Sequence, residues 1–432
     1  MGISPLDNWI LEHTGAREAG ALRDYQSRKL RETLAHASGN SRFYRKHLSS
    51  VDLEYFSGLD DLSSLPFTTA GMLAGDPLGF ACVAPGEISR IVTLPTTGST
   101  GPPKRVFFTE GDLELTIDFF HHGMTTLARP GDRVMIFLPG SSPMGVGDLL
   151  RRGLDRFGCE GVIYGPVYDY TDAGRSLATS GAACAVGLPS QMFALCRLCP
   201  DIRLKSVLLC SDYINGAVKS ALAEHWGCEV FGHYGLTESG LGGGVDCSAH
   251  AGYHLREADL LFEIIDPVTG ASLPDGDYGE VVFTTLTRRG APLIRYRTGD
   301  IASMSTEPCP CGSAHRRLNS VRERIGGAVD IRGFGVTSPM LDDAIFLLER
   351  IIGFSAEVIS RGSVDTLVLY IFESDKGRSI EEAEELLKND KRLGPLFKDG
   401  LAGLEVISCG EEVLTYGNTK RRIIDKRHNT AI

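Results

Sequence analysis

Apolar and polar positions follow three textures along the chain. Over residues 1–60 the period is helical: in LRDYQSRKLRETLAHA, Leu22, Tyr25, Leu30 and Leu34 recur at near-helical intervals among charges. After Pro66 the period changes. Short apolar runs, VMIFL (134–138), GVIYG (161–165), CAVGL (184–188) and SVLLC (206–210), are separated by helical stretches, the pattern of a mostly parallel sheet with helices on its faces. From about 255 the texture is β-rich: LLFEIID, the turn-forming PVTGASLPDGDYG and EVVFTTLT read as antiparallel strands. A glycine-rich stretch at 326–335 leads into an α+β pattern, with a helix near 339–350, the strand TLVLYIF (366–372), an acidic helix near 380–388 and the strand LEVIS (404–408). The expected fold class is α/β. A large N-terminal domain, 1–323, has mostly parallel sheets flanked by helices plus a β-rich subdomain, and a small α+β C-terminal domain covers 324–432.

Composition narrows the function classes. The 432 residues are too many for one simple core, and 42% hydrophobic with 23% charged is an ordinary globular balance. A net charge of −11 disfavours nucleic acid and anionic membrane as partners. No run approaches the ~20 apolar residues that span a bilayer, and the opening MGISPLDNWILEH lacks the basic segment of a secretory leader. Eleven scattered cysteines point to a reducing compartment, hence a cytoplasmic location, rather than to a disulfide framework. Self-association into a homodimer is left open.

Chemistry concentrates first at Thr96-Thr97-Gly98-Ser99-Thr100-Gly101-Pro102-Pro103-Lys104, between IVTLP and VFFT. Gly98 and Gly101 allow close backbone approach to a phosphate, the hydroxyls add donors, and Lys104 adds a point charge. The spacing is not that of a Walker loop, and on its own the stretch reads equally as a polar surface turn. Three further motifs follow in order: Tyr234-Gly235-Leu236-Thr237-Glu238, Tyr296-Arg297-Thr298-Gly299-Asp300 and Lys420-Arg421-Arg422. Together the four resemble the phosphate loop, YGxTE, YRTGD and basic catalytic elements of the adenylate-forming superfamily of acyl-CoA synthetases. Within it the chain is most similar to the phenylacetate–CoA ligase branch, through SRFYRKHL, LPFTT, DPVTG…LPDGDYGE, TTLTRRGAPLIRYRTGD, CPCG and RRIIDKR.

The resemblance implies an enzyme that joins AMP to a small carboxylic acid and passes the acyl group to coenzyme A, using ATP and Mg2+. It places Thr96, Thr97, Gly98, Ser99, Thr100, Gly101 and Lys104 on the β- and γ-phosphates, Glu238 on Mg2+, Thr237 on the α-phosphate, Tyr234 with Gly235 against adenine and Asp300 on the ribose. Lys420 would be the catalytic lysine of a mobile C-terminal domain. The sequence departs from the family at two points. The hinge Gly-Arg-x-Asp-Asp is here Glu323-Arg324-Ile325-Gly326-Gly327, which keeps Arg324 for the ribose but not the acidic pair. Lys420 sits one residue closer to the RxIDxR stretch than in relatives. Transfer to a carrier protein, an amine or a cofactor, and a non-catalytic nucleotide-binding role, are the alternatives.

Cys309 and Cys311 form a tight CPCG turn, and Cys247 is followed by His250 and His254. Soft thiolates with one imidazole suit tetrahedral Zn2+; the spacing seen in some phenylacetate ligases favours His254. Cys196 and Cys199 lie in the apolar stretch QMFALCRLC and read as packing. The acid pocket is expected from 138–149, Ser211-Asp212 and the small residues Gly240, Leu241, Gly242 and Gly243, which suit a flat aryl or arylacetic acid.

Overall fold

The computed structural model describes residues 4–15, 19–94, 103–305, 307–414 and 423–427. These form two compact units, one built from Met1–Pro130, Ser142–Cys159 and Phe231–Val321, the other from Gly131–Ser141, Glu160–Val230 and Arg322–Ile432.

In the first unit the amino-terminal helices Pro5–Thr14, Ala19–Asn40 and Arg42–His47 use the apolar stripe read from the sequence: Leu22, Leu30 and Leu34 are buried, and Tyr25 is half-buried. The long helix is tied to segments far along the chain. Gln26 Nε2 donates to the Glu257 carbonyl at 2.9 Å, and Thr33 Oγ1 donates to the Leu286 carbonyl at 2.9 Å. Just past it, the Tyr44 hydroxyl accepts from the Ile294 amide at 2.9 Å. Helix does not continue to residue 60. After His47 short polar side chains compete for the backbone: Asp61 accepts from the Ser57 amide at 2.7 Å and from its hydroxyl at 2.6 Å, and only a 3-10 turn, Leu59–Ser64, forms.

Arg90–Leu94 and Lys104–Phe108 pair as an antiparallel hairpin, Leu94 opposite Lys104. The residues joining them, 95–102, lie outside those described. Helix Glu110–Met124 follows, capped by the Thr109 side chain and a reciprocal bond from the Thr109 amide to Asp112. Asp112 also accepts from the Arg289 and Gly290 amides at 2.8 and 2.9 Å, which fixes the end of the hairpin to the 286–290 turn. The expected antiparallel texture is present. Leu260–Ile265 pairs with Gly279–Thr285, and that strand with Tyr296–Ala302, through a register shift between Glu280 and Val282. Glu229–Tyr234, Gly244–Val245, Tyr253–Leu255, Arg317–Leu318 and Met304–Ser305 form an antiparallel meander in that order.

In the second unit the four apolar runs become the parallel strands Arg133–Ile136, Glu160–Ile163, Cys184–Gly187 and Ser206–Leu209. Ile351–Arg361 and Val364–Glu373 form an antiparallel pair, flanked by Gly403–Cys409 and Ile423–Asp425. One apolar core runs through the unit. The Phe193 ring lies 4.5 Å from that of Phe346, which is 5.4 Å from Phe354; each such fully buried side chain contributes about 1.5–3 kcal/mol. Cys196, in helix Pro189–Leu198, is part of that core. Asp343 accepts from the Tyr213 hydroxyl at 3.0 Å and pairs with Arg392 at 2.9 Å. Gly326, with φ of 72°, occupies a backbone region that a side chain would strain. Among the described residues no helix is long and apolar enough to cross a membrane, and no disulfide joins any of the eleven cysteines.

Candidate active site

The strand Tyr296–Ala302 organises the site. Its period-two burial turns Tyr296, Thr298 and Asp300 to the inside. At one end the Tyr296 hydroxyl donates to Glu238 Oε1 at 3.1 Å; four residues on, Asp300 Oδ2 accepts from the Tyr234 hydroxyl at 3.1 Å. The strand thus gathers the YGLTE and YRTGD elements, and Lys104 joins them through an ion pair with Glu238.

Glu238 is 3% exposed. Burial opposes its ionisation, but the Lys104 ammonium and the Tyr296 hydroxyl outweigh that and hold its carboxyl below the usual range. Behind it, Arg288 donates to the Glu238 carbonyl at 2.6 Å and lies 5.0 Å from the centre of the Phe108 ring. Burial brings the Arg288 guanidinium down to about 10, which still leaves it charged at neutral pH. The result is two cations, two carboxylates and two hydroxyl-bearing rings held in one unit, suited to an anionic ligand and its counter-ion. A buried carboxylate of this kind fits Mg2+, which takes one or two carboxylates and completes its shell from substrate phosphates and water.

The turn after Tyr234 depends on close backbone approach. A Cβ at Gly235 would lie 2.9 Å from Gly242 Cα and 2.9 Å from the Leu241 carbonyl oxygen. Thr237 is half-buried, its carbonyl accepting from the Gly240 amide at 3.0 Å. The glycines at 240–243 do not simply leave open space. A Cβ at Gly242 would fall 2.2 Å from the Phe119 ring and one at Gly243 3.3 Å from both Phe262 and Tyr234, so aromatic rings back this loop.

Thr96, Thr97, Gly98, Ser99, Thr100, Gly101 and Lys420 fall outside the described residues. Arg324 is exposed on the short strand Glu323–Arg324 of the second unit, to which Ser211 and Asp212 also belong. Two residues of the site were given no role from sequence. Tyr296 was within reach, since it sits four positions from Asp300 on a strand and so shares its face. Arg288 carried no such signal, because it acts on a backbone carbonyl fifty residues away.

A second constellation lies in the same unit. Ligand atoms of Cys247, His254, Cys309 and Cys311 all lie within 4.8 Å of one another, with Cys247 Sγ 3.6 Å from Cys309 Sγ and Cys311 Sγ 3.6 Å from His254 Nε2. Bonds of about 2.3 Å to sulfur and 2.0–2.1 Å to nitrogen, set tetrahedrally, separate donors by roughly these distances. His254 Nδ1 is buried without a hydrogen-bond partner, 3.8 Å from Asp7 Oδ1, and Asp7 in turn accepts from the Ser313 hydroxyl at 2.8 Å. A carboxylate behind a ligating imidazole is the usual supporting arrangement of a metal site. His250 stands apart, its Nδ1 3.7 Å from Asp246 and its ring 5.0 Å from Phe231.

Comparison with known proteins agrees with this geometry. The AMP-binding enzyme family model matches residues 74–286. The chain is 27% identical to a phenylacetate–coenzyme A ligase of Thermus thermophilus, covering 94% of this chain and 97% of that one. It is 28% identical to a phenylacetate–coenzyme A ligase of Aromatoleum evansii, covering 94% of each. In fold it is similar to the crystal structure of 2-hydroxyisobutyryl-CoA ligase in the postadenylation state with 2-HIB-AMP, with a TM-score of 0.79 at 20% identity, covering 94% of this chain and 89% of that one. With an AMP-binding match that includes the YGLTE element, and phenylacetate ligases aligned along nearly its whole length, the chain is an adenylate-forming, phenylacetate–CoA ligase-like protein.

Proposed function

We propose that this ATP-dependent acid–CoA ligase acts on an aryl or arylacetic acid. The observation that carries the acid class is the buried aromatic packing of Phe119, Phe262 and Tyr234 behind Gly242 and Gly243, in the loop that follows Glu238 in the chain. The family likeness to phenylacetate ligases supports the same reading.

The first half-reaction joins an acid carboxylate oxygen to the α-phosphorus of ATP as pyrophosphate leaves. Both reactants are anionic, so positioning and charge neutralisation supply most of the acceleration. Lys104 and Glu238 neutralise each other. On binding, Lys104 turns to the β- and γ-phosphates, cradled by Thr96–Gly101, and Glu238 would hold Mg2+, whose charge would offset that of the phosphate oxygens. Thr237 hydrogen-bonds the α-phosphate. The Tyr234 ring packs on adenine, while Asp300 exchanges the Tyr234 hydroxyl for the ribose. In the second half-reaction the CoA thiolate attacks the acyl carbon and AMP leaves. The carboxyl-terminal residues 324–432 serve the two halves in turn, bringing Lys420 to the first, with Arg324 at the ribose and Gly326 and Gly327 in the pivot. A structural zinc on Cys247, His254, Cys309 and Cys311 steadies the CPCG turn, and the eleven cysteines without disulfides suit the cytoplasm.

The test is ATP–pyrophosphate exchange with a panel of acids, run with and without CoA. Aryl or arylacetic acids are expected to drive exchange best and to yield thioesters. Exchange driven better by short aliphatic acids would overturn the acid class. Exchange without thioester would move the acceptor to a carrier protein, amine or cofactor, and no exchange with any acid would leave a nucleotide-binding protein. Replacing Asp300 with Ala is expected to raise the KM for ATP about tenfold or more, the worth of a charge-assisted hydrogen bond at ~1.5–3 kcal/mol. Tyr234→Phe should change it far less. Equal effects of the two would place Asp300 away from the nucleotide.

A further inference from the structure

We propose that the first unit holds a second small-molecule site, in which Glu257 receives an ammonium group carried on a short apolar body. The site is a cavity of about 570 Å³ beside the strand Leu260–Ile265, within the ~300–1,000 Å³ range of small-molecule sites. Its walls are apolar where Leu22, Leu59, Leu62, Leu261 and Leu273 line it. Lys104, Glu238, Tyr234 and Asp300 are not among its lining residues, so it is separate from the candidate active site.

The charges around the cavity are mostly paired. Arg23 bonds Asp60, Arg316 Nη2 lies 2.6 Å from Asp275, and Glu263 lies 2.9 Å from Arg295. Glu257 has no such partner. It is 6% exposed, its carbonyl is engaged by Gln26, and its carboxylate meets His315 Nδ1 only at 3.9 Å, beyond hydrogen-bonding reach. Burial pushes the Glu257 carboxyl up to about 7, with Arg316 opposing the shift only in part, and burial also disfavours a charge on His315. A buried carboxyl that lines a cavity and has no hydrogen-bonded cation of its own chain gains a charge partner when a cation enters from outside. The leucine side chains on its walls suit a cation that carries hydrocarbon better than a bare metal ion.

Cyclohexylmethylamine and cyclohexylmethanol are matched probes, alike in shape and different in charge. Titration calorimetry on the full chain should show the amine binding about tenfold or more tightly than the alcohol, a difference of ~1.4 kcal/mol or more. Glu257→Gln, similar in shape, should remove that preference while leaving alcohol binding in place. Ser63→Trp, a change at the exposed rim that leaves the carboxyl intact, should weaken both probes. Equal binding of amine and alcohol to the wild-type chain, a preference that survives in Glu257→Gln, or no binding of either probe would each overturn the proposal. None of these outcomes depends on which acid the enzyme activates.

Discussion

Glu238→Gln and Lys104→Ala are each expected to lower acid-dependent ATP–pyrophosphate exchange about a hundredfold or more, at a saturating concentration of an active acid. The estimate rests on removing a charge aimed at a phosphoryl group undergoing transfer, where one preorganised electrostatic contact is worth about 2.7–4 kcal/mol. The variants differ in what they leave behind. Glu238 and Lys104 are a buried pair, and removing one partner of such a pair strands the other at a cost of about 3–5 kcal/mol. Both proteins should therefore melt at lower temperature than the wild type, so exchange is to be measured where circular dichroism shows each folded. The double variant Lys104→Met/Glu238→Gln separates the two effects, because it removes both charges. It should recover much of the melting temperature and none of the exchange. Near-normal exchange in both single variants would remove these residues from the reaction.

Protein purified without a His-tag should contain about one zinc per chain by elemental analysis, and Cys309→Ser and His254→Ala should each lose most of it. Four ligands already within 4.8 Å of one another need little rearrangement to bind, and binding energy gained in a preformed site appears as folding stability. Chelation should accordingly lower the melting temperature of the wild type but change that of Cys309→Ser far less. His250→Ala should keep its metal, since His250 lies with Asp246 and Phe231 rather than with the cysteines. A metal-free preparation that is folded and fully active would end the assignment. Metal retained in His254→Ala but lost in His250→Ala would transfer the ligand role to His250.

What could be read from the sequence was what depends on local period and on short motifs. The four apolar runs at 134–210 became four parallel strands because each is a short apolar run between helices, although Glu160–Ile163 is only half-buried. Glu238 and Asp300 stood out because their motifs are ordered along the chain, and the structure places both beside the partners of the same constellation, Lys104 and Tyr234. What escaped was set by distant backbone. Arg288 matters through a carbonyl, and Asp112 through the Arg289 and Gly290 amides, and neither leaves a spacing in the sequence. Gly240, Leu241, Gly242 and Gly243 read as small residues suited to a flat acid, yet Phe119, more than a hundred residues earlier, fills the position beside Gly242. Composition gives the size of a side chain but not what stands against it.

The contacts made by the amino-terminal helices also bear on synthesis. Gln26, Thr33 and Tyr44 find their partners 231, 253 and 250 residues downstream. At about 5–20 residues per second, a ribosome needs on the order of 10–50 s to deliver those partners. For that time the buried stripe of Leu22, Leu30 and Leu34 has only part of its final surroundings. The second unit is interleaved with the first along the chain and ends later still. Contacts so distant in sequence slow folding, because the loops between them must close before burial rewards them.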